Sequence, residues 1–241
     1  MISVCMAVFN GEVYLHQQID SILDQLSEVD ELIIVDDCST DHSSQIISNL
    51  NDQRIKYYKN NTNIGVLGTF ERAINLSHGD NIFLSDQDDV WYPHKIERIM
   101  FVFNSMKHIT MVTTDATVID DEGLTICDSF FSKRGKFRPD IINTLLKNKY
   151  LGCTIAFRRS IISKLLPIPQ NVPMHDIWFG AMNSLYGKTY FINEPLIFYR
   201  RHKKNVTKDG SENFTRQLLW RIRLITSILL RVFHLRHNCL F

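Results

Sequence analysis

Short apolar runs alternate with amphipathic segments along the first hundred residues of this 241-residue chain, and no other feature constrains its fold as strongly. Residues 2–8, 31–35 and 82–84 are almost continuously apolar, which is typical of strands buried on both faces of a sheet. Between the first two runs, Leu15, Ile19 and Ile22 recur at helical spacing. Strands and helices that alternate through short connections predict right-handed βαβ units and a mostly parallel sheet flanked by helices.

The second half of the sequence is less regular but alternates between the same two patterns. A hydrophobic content of 44% is ordinary for a globular protein, and 241 residues allow one large domain or one domain with an appendage. Further strands are predicted at residues 54–58, 111–119, 152–157, 189–192 and 196–199, and helices at residues 12–26, 65–76, 139–147 and 174–186.

The tail, residues 206–241, has a different pattern from the rest of the chain. Its apolar and basic residues alternate at helical spacing, which predicts a basic amphipathic helix. Such a helix can lie in a membrane interface, pack on its own domain, or pack on a second subunit of a homodimer. The residues that form the pattern are Leu218, Leu219, Ile222, Ile225, Leu229 and Val232, alternating with Arg216, Arg221, Arg223, Arg231 and Arg236.

Charge and cysteine content narrow the possible functions. A net charge of +1 gives no signal for a polyanion, so we expect no nucleic-acid partner. The five cysteines are scattered and show no CxxC spacing, which argues against a disulfide framework or a zinc site and favours a reducing compartment. Residues 1–9 are typical of a first strand and not of a signal peptide, and no uncharged run reaches the ~18 residues of a spanning helix.

Three carboxylates follow the apolar run 82–84 within four residues: Asp86, Asp88 and Asp89. Because side chains alternate along a strand, Asp86 and Asp88 are expected on the same side. Clustered carboxylates repel one another unless a cation lies between them, and oxygen ligands suit Mg²⁺ or Mn²⁺. The alternative is a solvated acidic turn. The position at the end of a core strand, where open α/β sheets bind ligands, favours a metal site.

A second acidic pair, Asp36 and Asp37, follows the strand at residues 31–35. A carboxylate at this position can accept hydrogen bonds from a nucleotide base or ribose, although helix capping is the alternative since Ser39 and Asp41 follow closely. Neither a Rossmann glycine fingerprint nor a Walker P-loop follows the first strand. A nucleotide would therefore be held by side chains and a metal ion.

Two further segments carry candidate chemistry. Asp176 lies at the start of a predicted helix, where it is either an N-terminal capping residue or a general base. The basic segment 200–205 is either a solvated loop or a diphosphate-binding segment in which His202 could be a metal ligand.

Taken in order, five segments resemble those of family 2 glycosyltransferases of the GT-A fold. The resemblance is greatest to the bacterial branch of rhamnosyl- and related sugar transferases of surface polysaccharide synthesis, and it covers roughly residues 1–205. Phe9 stands where the family usually has tyrosine. The segments are residues 2–11 (ISVCMAVFNG), 36–41 (DDCSTD), 63–65 (NIG), 86–91 (DQDDVW) and 175–178 (HDIW).

The resemblance implies a GT-A type, Rossmann-like α/β fold, with a nucleotide-binding half at 1–105 and an acceptor-binding half at 106–205. It also implies inverting transfer of a sugar from a UDP- or dTDP-sugar donor to a glycan or lipid-linked oligosaccharide acceptor. Asp176 would be the catalytic base, and Mg²⁺ or Mn²⁺ would be bound by Asp86, Asp88 and His202. The expected nucleotide-binding residues are Val8, Asn10, Asp36, Asp37, Asn63, Gly65 and Asp86.

Two other functions remain open at this point. A sugar nucleotidyltransferase would usually carry a glycine-rich basic loop where this chain has residues 10–13, Asn-Gly-Glu-Val. A non-catalytic nucleotide-sugar-binding protein would need neither Asp176 nor the acidic cluster. For the transferase, we expect a cytoplasmic location at the inner face of the membrane, where lipid-linked acceptors would lie.

Overall fold

A computed structural model describes residues 1–132, 135–202 and 214–237 of the chain. Within these residues, nine strands form a single sheet. The strands are β1 (Ile2–Val8), β2 (Glu31–Asp36), β3 (Ile55–Lys59), β4 (Asn81–Ser85), β5 (Val90–Trp91), β6 (Met111–Ile119), β7 (Thr125–Cys127), β8 (Ala156–Arg158) and β9 (Thr189–Arg200).

Helices cover both faces of the sheet. They are α1 (Leu15–Leu23), α2 (Ser43–Asn49), α3 (Gly65–Leu76), α4 (Lys95–Ser105), α5 (Ile141–Leu146), α6 (Ile162–Leu165), α7 (His175–Tyr186) and α8 (Phe214–His237).

The sheet has two parts that differ in strand direction. Its order is β3-β2-β1-β4-β8-β6-β9-β5, with β7 paired to β6. The strands β3, β2, β1 and β4 are all parallel, as βαβ units require. Beyond β4 the pairing is mixed, because β8 runs antiparallel to both β4 and β6 while β9 runs parallel to β6. The predicted α/β fold with flanking helices and a C-terminal helix is confirmed, and its parallel character is concentrated in the first half.

Alternation along the strands divides the core into two layers. In β1, Val4 and Met6 face the layer that contains α1 and α4, whereas Cys5 faces the layer that contains α3 and α7. All three side chains are fully buried. Because both faces of β1 are covered, its sequence is continuously apolar and shows no polar alternation.

Two predicted elements of the second half differ from the structure. The strand predicted at 152–157 begins as a 3₁₀ turn at Gly152–Thr154, and pairing starts only at Ala156. The strands predicted at 189–192 and 196–199 are one strand, β9. Ile192 pairs with Thr114 and Pro195 with Asp115, so two residues bulge out and the proline is accommodated without ending the strand.

Candidate active site

The chain reverses its direction of winding between β1 and β4, since β2 and β3 lie on one side of β1 and β4 lies on the other. In open α/β sheets, ligands bind outside the carboxyl ends of the strands at such a switch point. A cavity of about 580 Å³ opens there. The predicted site residues that line it are Val8, Asn10, Asp37, Asn63, Gly65, Asp86, Asp88 and His202.

Asp37, after β2, holds one wall of the cavity in place. Its carboxylate accepts hydrogen bonds from Asn60 Nδ2 (2.7 Å) and from the backbone N–H groups of Ile64 and Gly65 (both 2.8 Å). Those backbone groups belong to the start of α3, so Asp37 fixes the helix N-terminus against the end of β2. A carboxylate offers about four acceptor positions, so one is left for a ligand in the cavity.

The loop before α3 is shaped by Asn63 and Gly65. Asn63 donates from its amide to the Asp37 carbonyl (3.3 Å) and accepts from the Gly65 N–H (3.2 Å). Gly65 has a φ of 77°, a conformation that L side chains rarely adopt, and a Cβ there would meet no atom within 4 Å. The glycine is therefore required by its backbone conformation, and it leaves this part of the cavity wall open.

Asp36 does not line the cavity. It is fully buried, and its carboxylate accepts hydrogen bonds from Ser39 N (2.8 Å), Ser44 Oγ (2.6 Å) and Tyr57 Oη (3.0 Å). Burial opposes ionisation, but these hydrogen bonds outweigh it and hold the pKa of Asp36 below its ordinary value. Of the two neighbouring carboxylates, the structure brings only Asp37 to the cavity.

The turn after β1 is clamped to the acidic segment by Gln87. The side-chain oxygen of Gln87 accepts from the Phe9 N–H (2.8 Å), and its amide nitrogen donates to the Phe9 carbonyl (3.1 Å). A Cβ at Gly11 would collide with this amide, so a larger residue there would have to displace the Gln87 side chain from its contacts with Phe9. Asn10, in the left-handed conformation at φ 51°, accepts from the Thr40 N–H (2.9 Å).

The acidic segment after β4 places Asp86 and Asp88 at the cavity, next to His202. His202 Nε2 lies 2.8 Å from Asp88 Oδ2, and both side chains are largely buried. Burial, followed by the negative charges of Asp88 and Asp176, raises the pKa of Asp86 to about 7. The structure thus brings together the three residues predicted to bind a metal ion.

Behind these residues, Asp86 and Asp89 of the acidic segment meet Cys153 and Lys95, two residues that the sequence prediction did not include. Oxygens of Asp86 and Asp89 and the sulfur of Cys153 lie within 4.8 Å of one another. Burial, then the charges of Asp88 and Asp86, raise the pKa of Asp89 well above its ordinary value. The ammonium of Lys95 is also buried there; it donates to the Cys153 carbonyl (2.8 Å) and lies 4.1 Å from the Trp91 ring centroid.

Asp176 lies in the first turn of α7 and is 9% exposed. Asn148 donates to its Oδ1 at 3.2 Å. Burial raises the pKa of Asp176 to about 6, and its charge in turn affects Asp86, so the two carboxylates are within electrostatic reach of each other. Asp176 is not itself in the wall of the cavity, but Met174, two residues earlier, is.

His175, the neighbour of Asp176, is a packing residue. It is 2% exposed, and its ring centroid lies 4.2 Å from that of Phe70. Burial lowers the pKa of His175 to about 3, which keeps the ring neutral. Of the segment 175–178, the structure therefore leaves Asp176 as the residue with acid–base capacity.

The basic segment 200–205 is only partly within the described residues, since Lys203, Lys204 and Asn205 lie outside them. Arg200 is buried and binds protein groups: it donates to the Asp88 carbonyl (2.9 Å) and to Gln17 Oε1 (2.9 Å). Its guanidinium also lies 4.6 Å from the Tyr14 ring centroid. Arg200 therefore holds the acidic segment against α1 and is not positioned as a diphosphate ligand.

Sequence reasoning missed the roles of Gln87 and Lys95. Gln87 lies inside the quoted acidic segment, but nothing in the sequence indicates that its amide binds the backbone of Phe9. Lys95 follows Pro93 at the start of an amphipathic helix, where a lysine is normally solvent-exposed. Its burial is a product of the tertiary fold alone.

The acidic cluster has the composition of a divalent cation site. Three carboxylates share a small, partly desolvated volume with one buried ammonium, and the pKa of Asp86 is raised first by burial and then by repulsion from neighbouring carboxylates. Oxygen ligands of this kind suit Mg²⁺ or Mn²⁺, which would relieve that repulsion. Asp86, Asp88 and His202 are the residues that could hold the ion at the cavity.

Comparison with known proteins agrees with this geometry. The profile of the family described as Glycosyl transferase family 2 matches residues 3–166. A glycosyltransferase of Haemophilus influenzae is 34% identical over 224 residues, covering 91% of this chain and 85% of its own. Another, from Nostoc sp., is 31% identical over 215 residues; the match covers 85% of this chain but only 66% of the relative.

Among solved structures, S. aureus TarS 1–349 in complex with UDP-GlcNAc superposes with a TM-score of 0.68. The match covers 97% of this chain and 72% of TarS 1–349, at 17% sequence identity. The complex of TarS 1–349 with UDP gives a TM-score of 0.64, covering 83% of this chain and 60% of that one. At this level of identity the likeness extends to the fold.

Proposed function

The chain belongs to glycosyl transferase family 2, and from that premise we propose that it transfers a sugar, with inversion, from a nucleoside diphosphate sugar to a hydroxyl group. The observation that carries the proposal is the cavity at the switch point, where Asp37, Asp86 and Asp88 face one space. Residues 1–105 would bind the donor, and residues 106–205 would bind the acceptor.

We assign the nucleotide to the wall formed by the ends of β1 and β2. The free acceptor position of Asp37 would receive a hydrogen bond from the base or ribose, beside Val8 and Asn10. Asn63 and Gly65 would shape the wall next to the sugar ring of the nucleoside. Asp36 would act indirectly, by fixing the loop that presents Asp37.

We assign the diphosphate and its cation to Asp86, Asp88 and His202. When bound, Mg²⁺ or Mn²⁺ supplies positive charge that stabilises the developing charge of the leaving nucleoside diphosphate. Lys95 would partly offset the repulsion among the deeper carboxylates, because its positive charge lowers the pKa of Asp86 and so favours the ionised form.

Asp176 would remove the proton from the acceptor hydroxyl as that oxygen attacks the anomeric carbon. A pKa of about 6 leaves most of the carboxylate ionised at neutral pH, yet makes it more basic than an exposed aspartate. The acceptor oxygen forms a bond to the anomeric carbon, and the bond from that carbon to the diphosphate oxygen breaks. No protein nucleophile is needed for a single inverting displacement.

For the donor, the UDP and UDP-GlcNAc complexes of TarS support a uridine nucleotide, and a dTDP-sugar is the alternative that the rhamnosyltransferase-like sequence motifs favour. We further propose a glycan or lipid-linked acceptor of cell-surface polysaccharide synthesis, met at the inner face of the cytoplasmic membrane.

Calorimetric titration with UDP, dTDP and GDP, each with and without Mn²⁺, tests the donor site. We expect metal-dependent binding of UDP or dTDP and, with UDP-GlcNAc or dTDP-rhamnose, slow release of the nucleoside diphosphate. Binding of none of the three nucleotides would overturn the proposal. Release of pyrophosphate from a sugar phosphate and a nucleoside triphosphate would instead identify a nucleotidyltransferase.

A further inference from the structure

The C-terminal helix α8 is apolar on two opposite faces. One face packs on the domain: Leu224 and Ile228 are buried in the core layer of α3 and α7. Arg221 donates to the Leu146 carbonyl at the end of α5 (2.9 Å), and Arg231 donates to the Ser163 carbonyl in α6 (2.9 Å). The helix is thus fixed to the protein along its length through this face.

The opposite face of α8 is exposed and equally apolar. Leu229, Leu230 and Phe233 are 63%, 66% and 65% exposed. At 100° per residue, the exposed apolar side chains occupy an arc of about 140°, as wide as the apolar face of an ordinary amphipathic helix. The seven side chains of this outer face are Leu218, Leu219, Ile222, Ile225, Leu229, Leu230 and Phe233.

The helix α5 packs beside α8 and exposes apolar side chains of its own. Ile142 and Leu146 of that short helix are 65% and 63% exposed. Apolar patches of this extent mark interaction surfaces, because isolated exposed hydrophobic residues are normal but contiguous ones are not.

The positive charge of α8 favours an anionic partner for this outer face. Residues 214–237 contain five arginines and two histidines but no aspartate or glutamate. Arg223 and Arg236 are exposed on the helix. A second copy docked on the same face would bring the arginines of one α8 near those of the other, and neither α8 contains an aspartate or glutamate. The headgroups of anionic lipids supply the opposite charge.

We infer that the outer face of α8, extended by Ile142 and Leu146, docks on the surface of an anionic membrane. The helix would lie in the plane of the interface, since no helix among the described residues is both long and apolar enough to cross a bilayer. If the proposed function holds, this docking would bring lipid-linked acceptors close to the half of the protein that contains Asp176. The reason is that α8 packs on α7, the helix in which Asp176 lies.

Vesicle flotation of the full chain tests the inference. We expect binding to vesicles of phosphatidylglycerol and phosphatidylcholine, and at least tenfold weaker binding to phosphatidylcholine alone. Leu229→Ser and Phe233→Ser should each weaken binding roughly tenfold by removing apolar surface. Arg223→Gln together with Arg236→Gln should weaken it at low salt and reduce its salt dependence.

Matched controls are Leu124→Ser and Phe101→Ser, since these side chains are 63% and 66% exposed and neither belongs to the outer face. They should bind vesicles as the unsubstituted chain does. An equal loss of vesicle binding in all four serine variants would overturn the inference. So would the absence of vesicle binding by a chain that still binds its nucleotide, and neither result would affect the proposed function. A dimer in sedimentation that Phe233→Ser dissociates would also overturn it, by identifying a second copy as the occupant. Nucleotide titration of the same samples tests the proposed function separately.

Discussion

The carboxyl ends of β2 and β4 lie at the same edge of the sheet, and β2 ends in two carboxylates and β4 in three, yet the two groups differ in how well their charge is compensated. At β2, Asp36 and Asp37 each accept three hydrogen bonds from nearby donors. At β4, Asp86 and Asp89 are desolvated and repelled by their neighbours, so their pKa values are raised. The carboxylates at the β2 end are stabilised by protein donors, whereas those at the β4 end require protons or a cation to offset their charge.

This contrast distinguishes carboxylates that stabilise the structure from those proposed to take part in the reaction. Asp36, which lies outside the cavity wall, contributes mainly by holding loops in position, whereas Asp37 both holds the start of α3 and keeps one acceptor position at the cavity. Where burial and like charges leave a carboxylate poorly compensated, as at Asp86 and Asp89, we propose that the compensating partner is the substrate or its metal ion. Asp176 belongs with the β4 group, since burial alone raises its pKa to about 6.

Replacement of Asp176 should have the largest effect. Asp176→Asn is expected to lower kcat by roughly 10²- to 10⁴-fold with little change in donor affinity, because it removes the proposed base and keeps the shape. Burial disfavours the ionised carboxylate in the folded state, so at pH 8 the variant should be up to roughly 3 kcal/mol more stable than the unsubstituted chain. Steady-state kinetics and thermal denaturation measure the two effects. Unchanged kcat would remove Asp176 from the mechanism.

Replacing one carboxylate at each strand end with asparagine tests whether the two ends differ in their contributions to activity and stability. Asp88→Asn should lower transfer roughly 10²-fold or more, by weakening metal-dependent donor binding, and leave the melting temperature nearly unchanged. Asp36→Asn should do the reverse: a loss of about 1–3 kcal/mol of stability, since three buried donors lose an ionised acceptor, with kcat retained. If both variants lose activity at full stability, or if both lose stability, the two strand ends do not differ in the way described above.

The pH dependence of transfer should distinguish the two groups more finely. Asp176 must be ionised to act, so kcat is expected to fall about tenfold per pH unit below a pH of about 6 and to level off above it. Asp36 has a pKa below its ordinary value, so its contribution to stability is present above that value and disappears only as the pH falls through the folded pKa. A kcat that stays constant from pH 5 to 8 would contradict the assignment of Asp176.

Loss of the Gln87 clamp should have the smallest effect of the four. Gln87→Ala removes two hydrogen bonds to Phe9 that join the β1 turn to the acidic segment, so we expect KM for the donor to rise roughly tenfold with kcat little changed. Gln45→Ala, at an exposed position of α2, is the matched control and should leave KM unaltered. A fall in kcat with constant KM would place Gln87 in the chemical step instead.

The sequence alone determined the first half of the fold and most of the candidate site. Continuous apolar runs are typical of strands covered on both sides, and strand–helix alternation leaves essentially one handedness, so the acidic residues that follow β2 and β4 are predicted to lie where such sheets bind ligands. The residues that line the cavity follow those strands directly, at positions such as Asn10, Asp37 and Asp86.

Tertiary structure alone decided which of these side chains are satisfied. Asp36 and Asp37 are identical in sequence terms, but only contacts from Ser44, Tyr57 and the start of α3 separate their roles. The burial of Lys95 and the raised pKa of Asp176 likewise depend on packing between distant segments. Periodicity reports which face of an element is covered, whereas hydrogen bonding and desolvation depend on what covers it, and that is fixed only when the chain has folded.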